Sequence, residues 1–137
     1  MPAVKELIRT EQNGTISFGD YTLDVKAKLQ DYEFGGDIYK VKTYRDITKL
    51  ERNGMFVYES VPGTAVNEFE ADDTGVKFQV EGAKDAQITL ELSDDSEYDV
   101  NIGGEDAGVM KTNMSGKLTL SVELSEGASA AVEIRKR

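Results

Sequence analysis

Apolar residues recur at every second position along several stretches of this chain, and that period admits few folds. Val76, Phe78 and Val80 alternate with Lys77, Gln79 and Glu81, and Ile88, Leu90 and Leu92 alternate with Thr89, Glu91 and Ser93. Leu118, Leu120, Val122 and Leu124 repeat the pattern, as do Ala130, Val132 and Ile134. Successive side chains on a strand point to opposite faces, so this spacing makes ribbons with one oily side and one wet side. No stretch sustains a helical period over three turns. Leu, Ile, Val and Phe make up 33 of the 137 residues, enough for a modest core. Short strands punctuated by turn residues predict an all-β chain, with an antiparallel β-sandwich in the C-terminal part and a β-hairpin-rich N-terminal part.

Turn chemistry agrees with that period. Asn53-Gly54 and Gly103-Gly104 are two-residue turn signals, because both positions tolerate the positive φ that a tight hairpin needs. The first predicts Leu50 opposite Val57; the second predicts Val100 opposite Ala107 and Tyr98 opposite Val109. An alternative for the first region makes Asp46 an N-cap and Gly54 the stop of a helix over Ile47 to Arg52. Asn13-Gly14 sets Arg9 across from Phe18, and Asn113 to Gly116 joins a strand through Val109 to one starting at Lys117.

Composition changes at Pro62-Gly63. Residues 1–62 hold 9 basic and 10 acidic side chains, whereas residues 63–137 hold 7 and 16, so the second half supplies nearly all of the net charge of −10. Eight of the eleven aromatic residues lie in the first half. The expected organisation is an aromatic-rich β-hairpin region over 1–62 and an acidic antiparallel β-sandwich over 63–137, or one continuous domain spanning both.

The sequence contains no histidine, cysteine or tryptophan. That excludes a Ser/His/Asp triad, a cysteine nucleophile, a Cys/His zinc site and an imidazole base. Carboxylates cluster at Glu68, Glu70, Asp72 and Asp73, at Asp94, Asp95, Glu97 and Asp99, and at Glu105-Asp106. Two of them in a cleft could hydrolyse a glycosidic bond, but turn chemistry and solvated strand faces account for the same residues. No calcium loop of the Asp-x-Asp-x-Asp-Gly type is present. Gly35-Gly36 and Gly103-Gly104 precede strands, so neither forms a phosphate cradle at a helix start. No metal and no cofactor is expected, and the chain is expected not to be an enzyme. The acidic balance argues against nucleic acid and anionic lipid as partners. The first residues lack an apolar signal core and no run of 18 apolar residues occurs, so a cytoplasmic location is expected.

Two stretches carry a family resemblance. Tyr98-Asp99-Val100-Asn101-Ile102-Gly103-Gly104, with Gly108-Val109-Met110-Lys111-Thr112-Asn113 and Ser115-Gly116-Lys117-Leu118, is one; Asn53-Gly54-Met55-Phe56-Val57-Tyr58-Glu59-Ser60-Val61-Pro62-Gly63 is the other. Together they resemble small bacterial proteins of unestablished function sometimes labelled endosialidase-like. Sialidases are propellers several times this length with Asp-box repeats ending in Trp, so the resemblance implies no catalytic residue here.

The aromatic first half has little net charge to oppose association and few residues with which to bury its rings. Tyr32, Phe34, Tyr39, Tyr44, Phe56 and Tyr58 are therefore the candidate binding or interface residues. The function expected is a non-catalytic structural or protein-interaction β-protein that self-associates or binds another protein. A carbohydrate-binding module or glycan-associated accessory protein, stacking sugar rings on exposed tyrosines, is the alternative.

Overall fold

The computed structural model describes residues 3–137. In chain order its strands are β1 (Ile8–Thr10), β2 (Ile16–Phe18), β3 (Ala27–Phe34), β4 (Asp37–Tyr44), β5 (Ile47–Arg52), β6 (Met55–Val61) and β7 (Ala65–Asp72). There follow β8 (Gly75–Glu81), β9 (Ala86–Glu91), β10 (Glu97–Ile102), β11 (Glu105–Lys111), β12 (Lys117–Val122) and β13 (Ser129–Lys136). They form two antiparallel sheets, one of seven strands in the order β1-β2-β7-β8-β13-β10-β11 and one of six in the order β12-β9-β6-β5-β4-β3. The protein is an all-β sandwich. Among the described residues no helix is long and apolar enough to cross a membrane.

The alternating residues read from the sequence build the layer between the sheets. Val76, Phe78 and Val80 of β8, Ile88 and Leu90 of β9, Leu118, Leu120 and Val122 of β12, and Val132 and Ile134 of β13 are all buried. Both sheets draw strands from both sides of Pro62-Gly63. β1 and β2 complete the seven-stranded sheet beside β7, while β9 and β12 extend the six-stranded sheet beyond β6. The aromatic hairpins and the acidic meander thus share one core.

The region over Ile47 to Arg52 is a strand of a hairpin, not a helix. Asn53 and Gly54 have φ of 53° and 79°, and Gly103 and Gly104 have 63° and 84°, the paired positive values of a hairpin turn matched to strand twist. The turns lie where expected, but the registers beyond them are displaced by one residue. Leu50 faces Tyr58 rather than Val57, and Val100 and Tyr98 face Gly108 and Met110 rather than Ala107 and Val109. A bulge on each returning strand inserts the extra residue, and parity beyond a bulge flips to keep apolar partners inward. The Asn13-Gly14 connection is also wider than a two-residue turn: the Asn13 side chain accepts from Thr15 N and Oγ1 at 3.2 and 2.6 Å. Ile8, not Arg9, therefore lies across from Phe18.

A chain of buried hydroxyls crosses the corner where the sheets meet. Thr48 Oγ1 donates to Thr64 O at 2.8 Å and accepts from Thr64 N at 3.0 Å. Its single proton is thereby used, so Thr43 Oγ1, 2.8 Å away, must be the donor to it, and Thr43 in turn accepts from Asp20 N at 2.9 Å. Tyr58 OH and Ser60 Oγ each lie 2.8 Å from Thr64 Oγ1. Five segments are pinned through hydroxyls and backbone groups. Replacing Thr48 by Val strands the Thr64 amide and carbonyl in a dry site, with an expected loss of about 1–3 kcal/mol. Urea unfolding should show a lower midpoint at unchanged slope, and Thr48→Ser should restore most of the loss.

Candidate functional site

Of the six rings singled out from the sequence, two are buried and four are half-buried. Tyr58 is fully buried, with its ring centroid 5.3 Å from that of Phe18 and 5.8 Å from that of Phe78. Tyr39 is buried, and half-buried Phe34 packs edge-on against it at 6.1 Å. Tyr32 bridges the two sheets, its hydroxyl 2.7 Å from Thr10 Oγ1. Tyr44 and Phe56 are half-buried on the outer face, each beneath an ammonium: Lys26 Nζ lies 5.8 Å from the Tyr44 centroid and Lys117 Nζ 4.9 Å from that of Phe56. Among the described residues no tyrosine is more than partly exposed.

Four members of the acidic clusters, Asp72, Asp95, Asp99 and Asp106, serve turns and pairs. Asp72 accepts from Thr74 N and Oγ1 at 2.8 and 2.6 Å, and these bonds, that from Oγ1 foremost, hold its carboxyl below the usual range. Asp106 accepts from Gly108 N at 2.8 Å, Asp95 meets Lys111 at 3.1 Å, and Asp99 lies 3.8 Å from Arg137. Glu11 is drawn down by a hydrogen bond from Ser17, despite partial burial, with Arg9 adding to the pull. A carboxylic general acid needs the opposite direction. The buried carboxylates are also engaged: Asp20 accepts from Thr22 N at 3.0 Å, and Glu81 accepts from Tyr21 OH at 2.7 Å. Among the described residues no group of three or more carboxylates is placed to hold a metal ion.

The structure instead assembles a cationic face that the net charge conceals. In Lys26-Ala27-Lys28 and Lys40-Val41-Lys42, strand alternation turns Val41 into the core and the lysines outward. Pairing then aligns them across strands: Lys28 faces Lys42, and Lys42 faces Lys49, so three ammonium groups occupy one row over β3, β4 and β5. The row continues through Glu59, Thr89 and Thr119. Lys28, Lys40, Lys42, Lys49 and Glu51 line a shallow recess of about 60 Å³. Lys49 has a carboxylate partner, Glu51 at 3.6 Å; among the described residues none lies within 4 Å of Lys28, Lys40 or Lys42. Partial burial, followed by repulsion from Lys26, Lys49, Lys28 and Lys40, holds the Lys42 amine below its ordinary range.

None of these lysines was among the aromatic candidates, although the repeated Lys-x-Lys spacing signals them. Two lysines separated by one inward residue share a strand face, and their convergence with Lys49 follows once β3, β4 and β5 pair. No protein-family model matches the chain, and neither a curated protein nor a solved structure matches it significantly.

Like charges directly opposite in a sheet destabilise it by roughly 0.2–1 kcal/mol per pair, and Lys42 has one on each side. Lys42→Gln is therefore expected to stabilise the fold by that order at low ionic strength. Thermal melts should show the gain shrinking as salt screens the row. An equal gain at all salt concentrations would show that repulsion is not its source.

Proposed function

We propose that this protein is a non-catalytic interaction module that self-associates, the lysine face of β3, β4 and β5 in one copy docking on an acidic surface of another. The observation that carries this reading is the aligned row Lys28, Lys42 and Lys49 in a chain whose overall charge is −10. Removing Lys26, Lys28, Lys40, Lys42 and Lys49 from the count leaves 11 basic against 26 acidic residues, a balance of −15. Each copy thus carries a cationic patch on an otherwise strongly acidic chain. A lysine face cannot meet another lysine face, so the contact joins two different surfaces and propagates into rings or open chains.

Charge provides reach and orientation more than strength. Exposed ion pairs contribute about 0–1 kcal/mol each, whereas attraction within a Debye length of about 8 Å speeds encounter. Apolar area for a lasting contact borders the lysines: Ile38 is 50% exposed on β4 and Val61 is 52% exposed on β6. The aromatic half contributes the interacting face, but with ammonium groups rather than rings outermost. Glu51, held by Lys49 inside the patch, favours a partner with mixed charges, as a protein surface has, over a uniform polyanion.

Sedimentation velocity tests the reading. At about 50 mM salt, where screening is weak, the average mass should rise with concentration above the 15.1 kDa of one chain, and it should fall back at about 500 mM. The triple variant Lys28→Glu, Lys42→Glu, Lys49→Glu should stay monomeric with an unchanged far-UV spectrum. A wild-type mass fixed at one chain at every concentration in low salt overturns it.

A further inference from the structure

We propose that Lys42 is a lysine readily acylated by acyl phosphates, which are drawn into the recess it shares with Lys28, Lys40 and Lys49. This goes beyond the docking role and holds whether or not the face meets a second copy. Three observations converge on this residue. The first is position: Lys42 is the middle member of the aligned row, flanked by Lys28 on one strand and Lys49 on the other. The second is the recess itself, an open hollow of about 60 Å³ lined by Lys28, Lys40, Lys42, Lys49 and Glu51, which turns its ammonium groups toward an anion arriving from solvent. The third is the lack of a counter-charge: Glu51 keeps Lys49 paired at 3.6 Å, whereas Lys42 has no carboxylate within 4 Å among the described residues.

The groups facing Lys42 act in concert. From β3 come Lys28 and, just before the strand, Lys26; from β4 itself, Lys40; from β5, Lys49 and Glu51. Four ammonium groups attract a phosphate dianion and also disfavour a fifth proton in their midst, so the neutral, nucleophilic form of Lys42 becomes more populated than that of an isolated surface lysine. The reaction balances without a further reactant. The lone pair of the neutral Nζ attacks the carbonyl carbon, and a C–N bond forms as the C–O bond to phosphate breaks. Phosphate leaves with that electron pair and takes the proton released by nitrogen, giving an amide and hydrogen phosphate. The product has one positive charge fewer in the row, which links acyl-donor supply to the charge of the face.

The test exposes the whole protein to acetyl phosphate and follows site-resolved acetylation by mass spectrometry after cleavage at glutamate. Lys84, exposed on the connection between β8 and β9, is the internal reference. Lys42 is expected to acetylate several-fold faster than Lys84. Inorganic phosphate should slow Lys42 while leaving Lys84 unchanged, and the double variant Lys28→Gln, Lys49→Gln should bring the Lys42 rate close to that of Lys84. Equal rates at the two sites overturn the proposal. So does a fast Lys42 that is indifferent to inorganic phosphate, since recruitment of the anion is then absent; this second arm needs no variant and is independent of any change in folding.

Discussion

The structure turns on one side chain that belongs to both layers. Tyr58 projects from β6, in the middle of the six-stranded sheet, and its ring meets Phe18, Phe69 and Phe78 edge-on at centroid distances of 5.3, 6.4 and 5.8 Å. Those three rings stand on β2, β7 and β8, consecutive strands of the opposite sheet. Edge-to-face pairs of this kind add about 0.5–1.5 kcal/mol each beyond the area they bury. Its hydroxyl ends in the Thr64 cluster, which Thr48 ties to the backbone, so burial leaves no polar atom of Tyr58 without a partner. One residue thereby sets how the two sheets sit on each other. With inward parity fixed at Tyr58, the outward positions of β3, β4 and β5 are fixed as well, and these carry the lysines.

Sheet parity was legible from the amino-acid order, and register was not. The alternation through Val76–Val80, Ile88–Leu90 and Leu118–Val122 names the core side of those strands, and Asn53-Gly54 and Gly103-Gly104 locate two turns. The bulges after those turns have weaker signatures. Gly108, with φ of 92°, marks one of them, whereas Val57 looks like any other strand residue. Ring burial was hidden for a related reason. The rings that cover Tyr58 stand on β2, β7 and β8 of the opposite sheet, two of them from the other half of the chain, and no local pattern announces that packing. Lysine positions on the outer face follow from Lys-x-Lys spacing, but their convergence requires knowing that β3, β4 and β5 are neighbours.

Net charge was the least informative number for a similar reason. A total of −10 describes a sum over surfaces, whereas a partner meets one surface at a time within a screening length. Sheet pairing gathers five of the eleven lysines onto one face. The cost of aligning ammonium groups falls on the fold itself.

The place of β13 bears on how such a chain acquires its shape on the ribosome. β13 lies between β8 and β10 in the seven-stranded sheet, pairing with both. Until residues 129–136 have left the exit tunnel, that sheet exists only as two fragments, β1-β2-β7-β8 and β10-β11, each with a bare edge toward the gap. The six-stranded sheet can complete its pairings earlier, because β12 precedes β13 in the chain. The order of the strands along the chain thus lets the six-stranded layer be complete before β13 joins the two parts of the other.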